Sequence, residues 1–361
     1  MKTNLTKYGA GLIFLMILTL NVCGAPPVLN FVDPTPDNNT CQNESWIVVN
    51  VSVQEENLST FKFNWAGTDY IFDMDSLVLG LHLNNNANDY SKYGNDGTVN
   101  GAAAFTASGK YGSALTFDGT DDYVDCGNDP SLDIGDFTIE AWVKRSVAGT
   151  AHAILSKSNG FPHELLLRFD NTNKISLLIG DKSNSDTLTT SGTYETDWYH
   201  VVVTWIDSTK AAKIYVDGNE VSSDTLDYSI DTDGISFVVG ASVETGSGAR
   251  FNGIIDEVHV YNRALTLAEI QGHYNNSIYY DLDKSTSDQW YFSSNITGLS
   301  SQTYTYSAWA NNTPAGETDQ TDVYTNLGLC VRQVPALATA GILILFVLAM
   351  TLSITRIRKK D

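Results

Sequence analysis

The stretch KIYVDGNEV, Lys213 to Val221, leaves its chain few choices. A β-branched and aromatic run meets an Asp-Gly pair and then a second strand-like run. Asp217-Gly218 suits the positive φ values of a two-residue type I′ turn, so the segment predicts a hairpin with strands Ala211 to Val216 and Asn219 to Ser223. The same grammar recurs through the middle of the chain. DFTIEAWVK, Asp136 to Lys144, alternates. WYHVVVTW, Trp198 to Trp205, has the continuous apolar character of a buried strand, and FNGIIDEVHVYNRAL, Phe251 to Leu265, supplies another. Helical signal in this region is confined to Thr266 and Glu269, which have capping-box spacing ahead of Ile270. Many short strands and one terminal helix predict an all-β two-sheet sandwich or jelly roll.

The two ends carry different signals. Lys2 and Lys7 flank the start of an uncharged apolar run, Ala10 to Leu20, and VCGA closes in small residues. That is the pattern of a secretory signal peptide, residues 1–25, cleaved after Ala25. Lipidation at Cys23 is the weaker alternative, because Val22 stands where such sites carry a small residue. Val334 to Thr355 is a run of 22 residues without a charge. As a helix it reaches about 33 Å, enough to cross a hydrocarbon core of about 30 Å. Arg356, Arg358, Lys359 and Lys360 follow at once and predict a cytoplasmic tail, residues 356–361. The expectation is a single-pass protein of the cell membrane, anchored by a transmembrane helix over 334–355, with its ectodomain outside. VPAL, the apolar span and the basic end also resemble prokaryotic sorting signals of the exosortase and archaeosortase type; a permanent anchor is the simpler reading.

Acidity narrows the partners. The chain has 42 Asp+Glu against 21 Lys+Arg, a net charge of −21. Nucleic acid and anionic lipid headgroups are poor partners for such a surface, whereas divalent cations and cationic surfaces remain compatible. After signal removal Cys41, Cys126 and Cys330 remain. An exported compartment permits one disulfide, and the odd count leaves a thiol over. The spacing of the cysteines is not that of a zinc site, and no two histidines stand four apart.

Ectodomain sequons at Asn38, Asn43, Asn50, Asn57, Asn275, Asn295 and Asn311 are glycosylation candidates, and none lies between Ser76 and His273. The two flanks share this feature and an alternating Thr/Ser/Tyr-rich texture. WIVVNVSV, Trp46 to Val53, reads as a strand. In TYTYSAWA, Thr303 to Ala310, Tyr304, Tyr306 and Ala308 share one face. Neither flank alone offers the roughly three strands that a stable sheet needs, whereas together they have the size of one domain. Residues 27–75 and 275–329 are therefore expected to form one split β-sandwich. FVDPTPDNNT, FKFNWAGTDYIF and SNITGLSSQTYTYSAWANNT resemble immunoglobulin-like or fibronectin-type-III-like modules of archaeal surface proteins.

Between them, residues 77–274 carry DYSKYGNDGTVNGA, GKYGSALTFDGTDDYVDCG, DFTIEAWVK, WYHVVVTW, KIYVDGNEV and GIIDEVHVYNRALTLAEI in that order. This segment resembles the laminin-G-like jelly-roll domains of the concanavalin A-like lectin/glucanase fold. The resemblance implies a concanavalin A-like jelly roll inserted in the smaller sandwich, and a binding role toward carbohydrate or extracellular protein. It also implies a structural Ca2+ where the N-terminal loop meets the last strand. The ligands it points to are Asp256 and Asp89, with Asp118 ranked behind them and Asn95 or backbone carbonyls completing the shell. The aspartate-rich FDGTDDYV is read as a hairpin connection, with Asp118-Gly119 starting the turn and Tyr123 and Val124 resuming the sheet.

Glycoside hydrolysis on this fold needs paired carboxylates. The Glu-x-Asp-x-x-Glu strand of the hydrolase branch is missing: Glu140 is followed by Ala-Trp-Val-Lys, and Asp256 and Glu257 are adjacent, hence expected on opposite faces. The sequence is accordingly read as a binder and not an enzyme, with no catalytic residues. Trp142, Trp198 and Trp205 are expected in the core. Phe161 and His163 in SNGFPHE, and Arg250 in ETGSGARF, are the ligand-binding candidates. The function expected is a membrane-anchored surface binding or adhesion protein; the alternative is an architectural cell-envelope protein with no small ligand.

Overall fold

The Asp-Gly hairpin forms as its turn chemistry requires. Asp217 and Gly218 take φ values of 50° and 73°, and Ala211–Val216 pairs antiparallel with Asn219–Thr225. A computed structural model describes residues 27–37, 40–42, 44–158, 164–181, 183–231, 234–242, 249–275, 279–286, 288–300, 302–312 and 323–331. The segments 1–25 and 334–361 lie outside them, as do Phe161, His163, Asn38 and Asn43. Among the described residues no helix is long and apolar enough to cross a membrane.

Two sandwiches result. In the larger, one sheet runs in the order Asn184–Thr189, Ile175–Asp181, Leu165–Phe169, His152–Lys157, Val238–Val239, Tyr123–Asp125, Thr98–Asn100. The facing sheet runs Asn219–Thr225, Ala211–Val216, Trp198–Ile206, Phe137–Arg145, Asn252–Tyr261, Ala114–Asp118, Ala104–Thr106, and Leu77–Leu81 also pairs with Asn252–Tyr261. Alternate residues of these strands fill the core between the sheets, among them Leu79, Phe137, Ile139, Leu167, Phe169, Val203, Trp205 and Val260.

Strands from both flanks build the smaller sandwich. One sheet has the order Val28–Val32, Ile47–Gln54, Gln289–Ile296, Tyr279–Thr286. The other has the order Thr40–Gln42, Val323–Val331, Thr303–Asn311, Thr60–Trp65, Thr68–Asp73. Tyr304, Tyr306 and Ala308 do share a buried face, packed with Phe63, Trp65 and Phe292. Cys41 is disulfide-bonded, and the parallel pairing of its strand sets it level with Cys330, whereas Cys126 is a free, buried thiol.

The sandwiches meet on the outer face of the eight-stranded sheet. Val202, Tyr215, Tyr261, Leu265 and Ile270 of the larger unit belong to the apolar core of the smaller one. The helix Leu267–Tyr274 covers the same face. It begins in the capping box foreseen from sequence: Thr266 Oγ1 accepts from Glu269 N–H (3.3 Å) and Glu269 Oε2 accepts from Thr266 N–H (2.7 Å). Under this cover lies a buried charge network. Glu140 Oε1 is 2.9 Å from His259 Nδ1, and Glu140 Oε2 is 3.0 Å from His273 Nδ1 and 3.5 Å from His200 Nε2. Burial alone would raise the Glu140 carboxyl, yet these histidines hold it well below the usual carboxylate range. Burial likewise opposes charge on His259, but Glu140 and Glu257 raise it to about 9.

Two sequence expectations change here. Asp256 and Glu257 do not sit on opposite faces. Between the pairs Glu140↔His259 and Trp142↔Asp256 the register shifts, with Glu257 at φ 48°. Ile255 and Val258 both enter the core, so the bulge leaves both acids on the outer side. The tryptophans also divide. Trp205 is in the inter-sheet core, Trp142 is buried on the outer face against Tyr274, and Trp198 is only half-buried.

Candidate functional site

The aspartate cluster is turn chemistry, but not in a hairpin. Ala114–Asp118 belongs to one sheet of the jelly roll and Tyr123–Asp125 to the other, so the turn crosses between sheets. Asp122 is buried and fastens it: Oδ1 accepts from Ala102 N–H (2.6 Å) and Oδ2 from Asp118 N–H (2.8 Å). Asp118 is exposed and its Oδ1 accepts from Thr120 N–H at 2.7 Å. Carboxylate oxygens of Asp118, Asp121 and Asp122 lie within 4.8 Å of one another.

The calcium set implied by the family resemblance is not assembled. Asp89 is buried, and its two oxygens already take four donors: Gly80 N–H (2.8 Å), Ser91 N–H (2.8 Å), Ser91 O–H (2.6 Å) and Asn95 N–H (2.7 Å). Asn95 turns its amide NH2 to Val78 O and Ser131 Oγ. Asp256 accepts from Tyr111 N–H (2.9 Å) and Glu257 N–H (3.1 Å). Burial first, and the neighbouring Glu257 second, push its carboxyl up to about 8. The oxygens of Asp89 and Asp256 thus face N–H and O–H donors, and among the described residues neither acid falls in a cluster with another calcium candidate. Of the sequons, Asn57, Asn275 and Asn295 are exposed and Asn50 is half-buried with its Nδ2 donating to Asp33 O. Asn311 is buried in a strand.

Arg250 stands in a different setting. A pocket of about 480 Å³ opens on the outer face of the seven-stranded sheet, lined by His152, Leu166, Arg168, Ser242, Arg250 and Asn252 among others. It lies on the side of the jelly roll away from the smaller sandwich. In Leu165–Phe169, residues 165, 167 and 169 face the core, so Leu166 and Arg168 face outward. Arg250 pairs with Ala241 in an isolated bridge, and its guanidinium lies 5.4 Å from the Tyr123 ring. His152 is fixed by Asn252 N–H donating to Nδ1 (3.0 Å), with Nε2 2.7 Å from Thr150 Oγ1. Burial, helped by the nearby Arg145, lowers its pKa and keeps it neutral at pH 7. Two polar atoms here are buried without a hydrogen-bond partner, Arg168 Nε and Ser242 Oγ. Such groups are costly unless something satisfies them. Sequence reasoning reached Arg250 but missed Arg168 and His152. The usable signal was the lone cation in LLLRF, which period two turns outward.

The fold is a two-sheet jelly roll with this pocket on the outer face of one sheet. Residues 118–271 match the laminin-G-like family model described as "Concanavalin A-like lectin/glucanases superfamily". No curated protein matches the sequence. Among solved structures, the chain is similar to domain 4 of AbnA, a GH43 extracellular arabinanase from Geobacillus stearothermophilus. The identity is 22%, the match covers 54% of this chain and 97% of that one, and the TM-score is 0.46. A Trypanosoma rangeli sialidase is 21% identical over 58% of this chain but only 34% of its own length, with a TM-score of 0.45. The Ruminococcus gnavus IT-sialidase CBM40 is 17% identical over 44% of this chain and 95% of its own, with a TM-score of 0.39.

Proposed function

We propose that the chain is a cell-surface binding protein that recognises carbohydrate through the Arg168–Arg250 pocket, held at the membrane by the apolar stretch 334–355. The observation that carries this reading is the pocket itself. In a chain of net charge −21, Arg168, Arg250 and a neutral histidine line one open cavity, and Arg168 Nε and Ser242 Oγ are buried in its wall without a hydrogen-bond partner. Sugar hydroxyls and carboxylates are acceptors that suit forked guanidinium donors, and the apolar floor of Leu166 and Ala249 suits a sugar ring face. The family match of residues 118–271 points the same way.

The test is a glycan array probed with the purified full-length chain, with calcium and with chelator. Binding to a defined glycan group is expected. Arg168→Ala and Arg250→Ala should each weaken it about tenfold or more, since a charge-assisted hydrogen bond contributes about 1.5–3 kcal/mol. Undiminished binding by both variants would move the site elsewhere. A silent array accompanied by self-association of the chain would favour an architectural role instead.

A further inference from the structure

On the opposite face of the jelly roll, His82, Glu257 and His259 converge in the buried layer between the two sandwiches. The three ligand atoms lie within 4.8 Å of one another. Glu257 Oε2 is 2.8 Å from His82 Nδ1 and 3.5 Å from His259 Nε2. Two of the atoms have unused capacity: Glu257 Oε1 and His259 Nε2 are buried without a hydrogen-bond partner. The bulge turns Glu257 to this side at φ 48°, a left-handed conformation that a long side chain rarely adopts. The rings are also held. His82 stacks on Tyr90 with centroids 4.2 Å apart and planes 7° apart, and His259 Nδ1 is tied to Glu140 Oε1 at 2.9 Å.

We propose that His82, Glu257 and His259 bind a divalent transition-metal ion of the zinc class at the junction of the two sandwiches. Two nitrogens and a carboxylate oxygen are a borderline donor set that suits zinc and disfavours calcium or magnesium. Ligand atoms about 2.1 Å from a tetrahedral ion stand roughly 3.4 Å apart. The His259–Glu257 separation already matches, and the His82–Glu257 pair must open by about half an ångström. The link from Glu140 to His259 has the form of a carboxylate–histidine–metal arrangement, in which the carboxylate orients the ring through Nδ1–H and the binding ion displaces the proton on Nε2. Glu140 is thus a positioning residue. Coordination through His82 Nδ1 places the ring proton on Nε2, and so gives up the long 3.4 Å contact in which Leu282 N–H donates to that atom. The fourth position falls to water or another oxygen.

Cobalt(II) reports such a site by the visible band of a tetrahedral ion. The full-length chain, stripped with chelator, is equilibrated with Co2+ both in the native state and during refolding. One equivalent per chain and an intense band, displaced by Zn2+ and not by Ca2+, are expected. Glu257→Gln and His259→Ala should lose the band, and Asp121→Asn should keep it. Glu140→Gln should retain the band but weaken affinity about 10–100-fold. Absence of the band in the wild type under both conditions overturns the proposal whatever the variants do. So does a band that survives in both Glu257→Gln and His259→Ala.

Discussion

Arg263 of the jelly roll reaches Asp73 of the smaller sandwich, with Nη2 2.8 Å and Nε 3.1 Å from the same oxygen, Oδ2. The same guanidinium holds Glu269 in the first turn of the helix, at 2.7 Å and 3.1 Å. One cation therefore ties together the two units and the helix between them. Both side chains of the Arg263–Asp73 pair are about a third exposed, so solvent screens the contact. Arg263→Met should lower the stability of the full-length chain by about 1 kcal/mol in urea unfolding. Arg263→Lys should recover only part of this, because a point charge cannot serve two carboxylates as a fork does.

Acid should find the same contact. Burial would raise the Glu269 carboxyl, but hydrogen bonds from Arg263 and Thr266 bring it down to about 2 from an ordinary 4.5. Asp73 is also lowered, against the effect of burial, by Ser76 and Arg263. A folded pKa below the unfolded one stabilises the fold above the unfolded value, and the gain disappears as pH falls through the folded value. Thermal stability should therefore drop between pH 4.5 and 2. The drop should be shallower in Arg263→Met; an unchanged acid limb in that variant would refute the assignment.

Gly253 occupies a position that no other residue can. Its φ is 150°, and a Cβ there would stand 2.1 Å from Lys144 O on the neighbouring strand. Gly253→Ala should cost at least about 2 kcal/mol, from backbone strain and displacement of that strand. The control is Gly135→Ala, where a Cβ meets nothing within 4 Å. Denaturant midpoints of the two variants decide the matter.

The cysteines should behave oppositely. Burial pushes the Cys126 thiol up, and an inaccessible thiol does not ionise to react. An alkylating reagent should leave it unmodified in the native chain and label it after unfolding. Cys41 is disulfide-bonded, so Cys41→Ser should lower stability by about 2–4 kcal/mol.

What the sequence disclosed was local. The Asp217-Gly218 turn and the Thr266/Glu269 cap each depend on residues a few positions apart, and both are found where their spacing put them. The alternation of TYTYSAWA likewise put Tyr304, Tyr306 and Ala308 on one face, and the structure buries that face. Errors arose where the ladder is irregular or the partner distant. A period-two count across Asp256-Glu257 assumes a regular strand, and one left-handed residue voids it. FDGTDDYV gave its turn but not the fact that its two strands join different sheets. Glu140, His200, His259 and His273 come together only through strand order and the docking of one helix, so no spacing among them could announce the network. The family resemblance points to Asp89, yet in the structure its oxygens serve backbone donors of its own loop and of the strand Leu77–Leu81.

Gln289 donates from Nε2 to Val53 O, a partner 236 positions earlier in the chain, and the strands around them pair throughout. Every strand pair between the flanks spans the whole jelly roll, which fixes an order of events during synthesis. The first flank emerges with half its sheets missing and must wait, exposing the apolar faces of Ile47–Gln54 and Thr60–Trp65, while the jelly roll is made. Compaction of that insert brings its ends together, as in the 2.8 Å bond from Asn262 N–H to Ser76 O, and turns a very long loop closure into a short one. The jelly roll thus acts as the clasp on which the smaller sandwich closes. A lesion that slows its folding would leave the first flank open to aggregation even though no residue of that flank had changed.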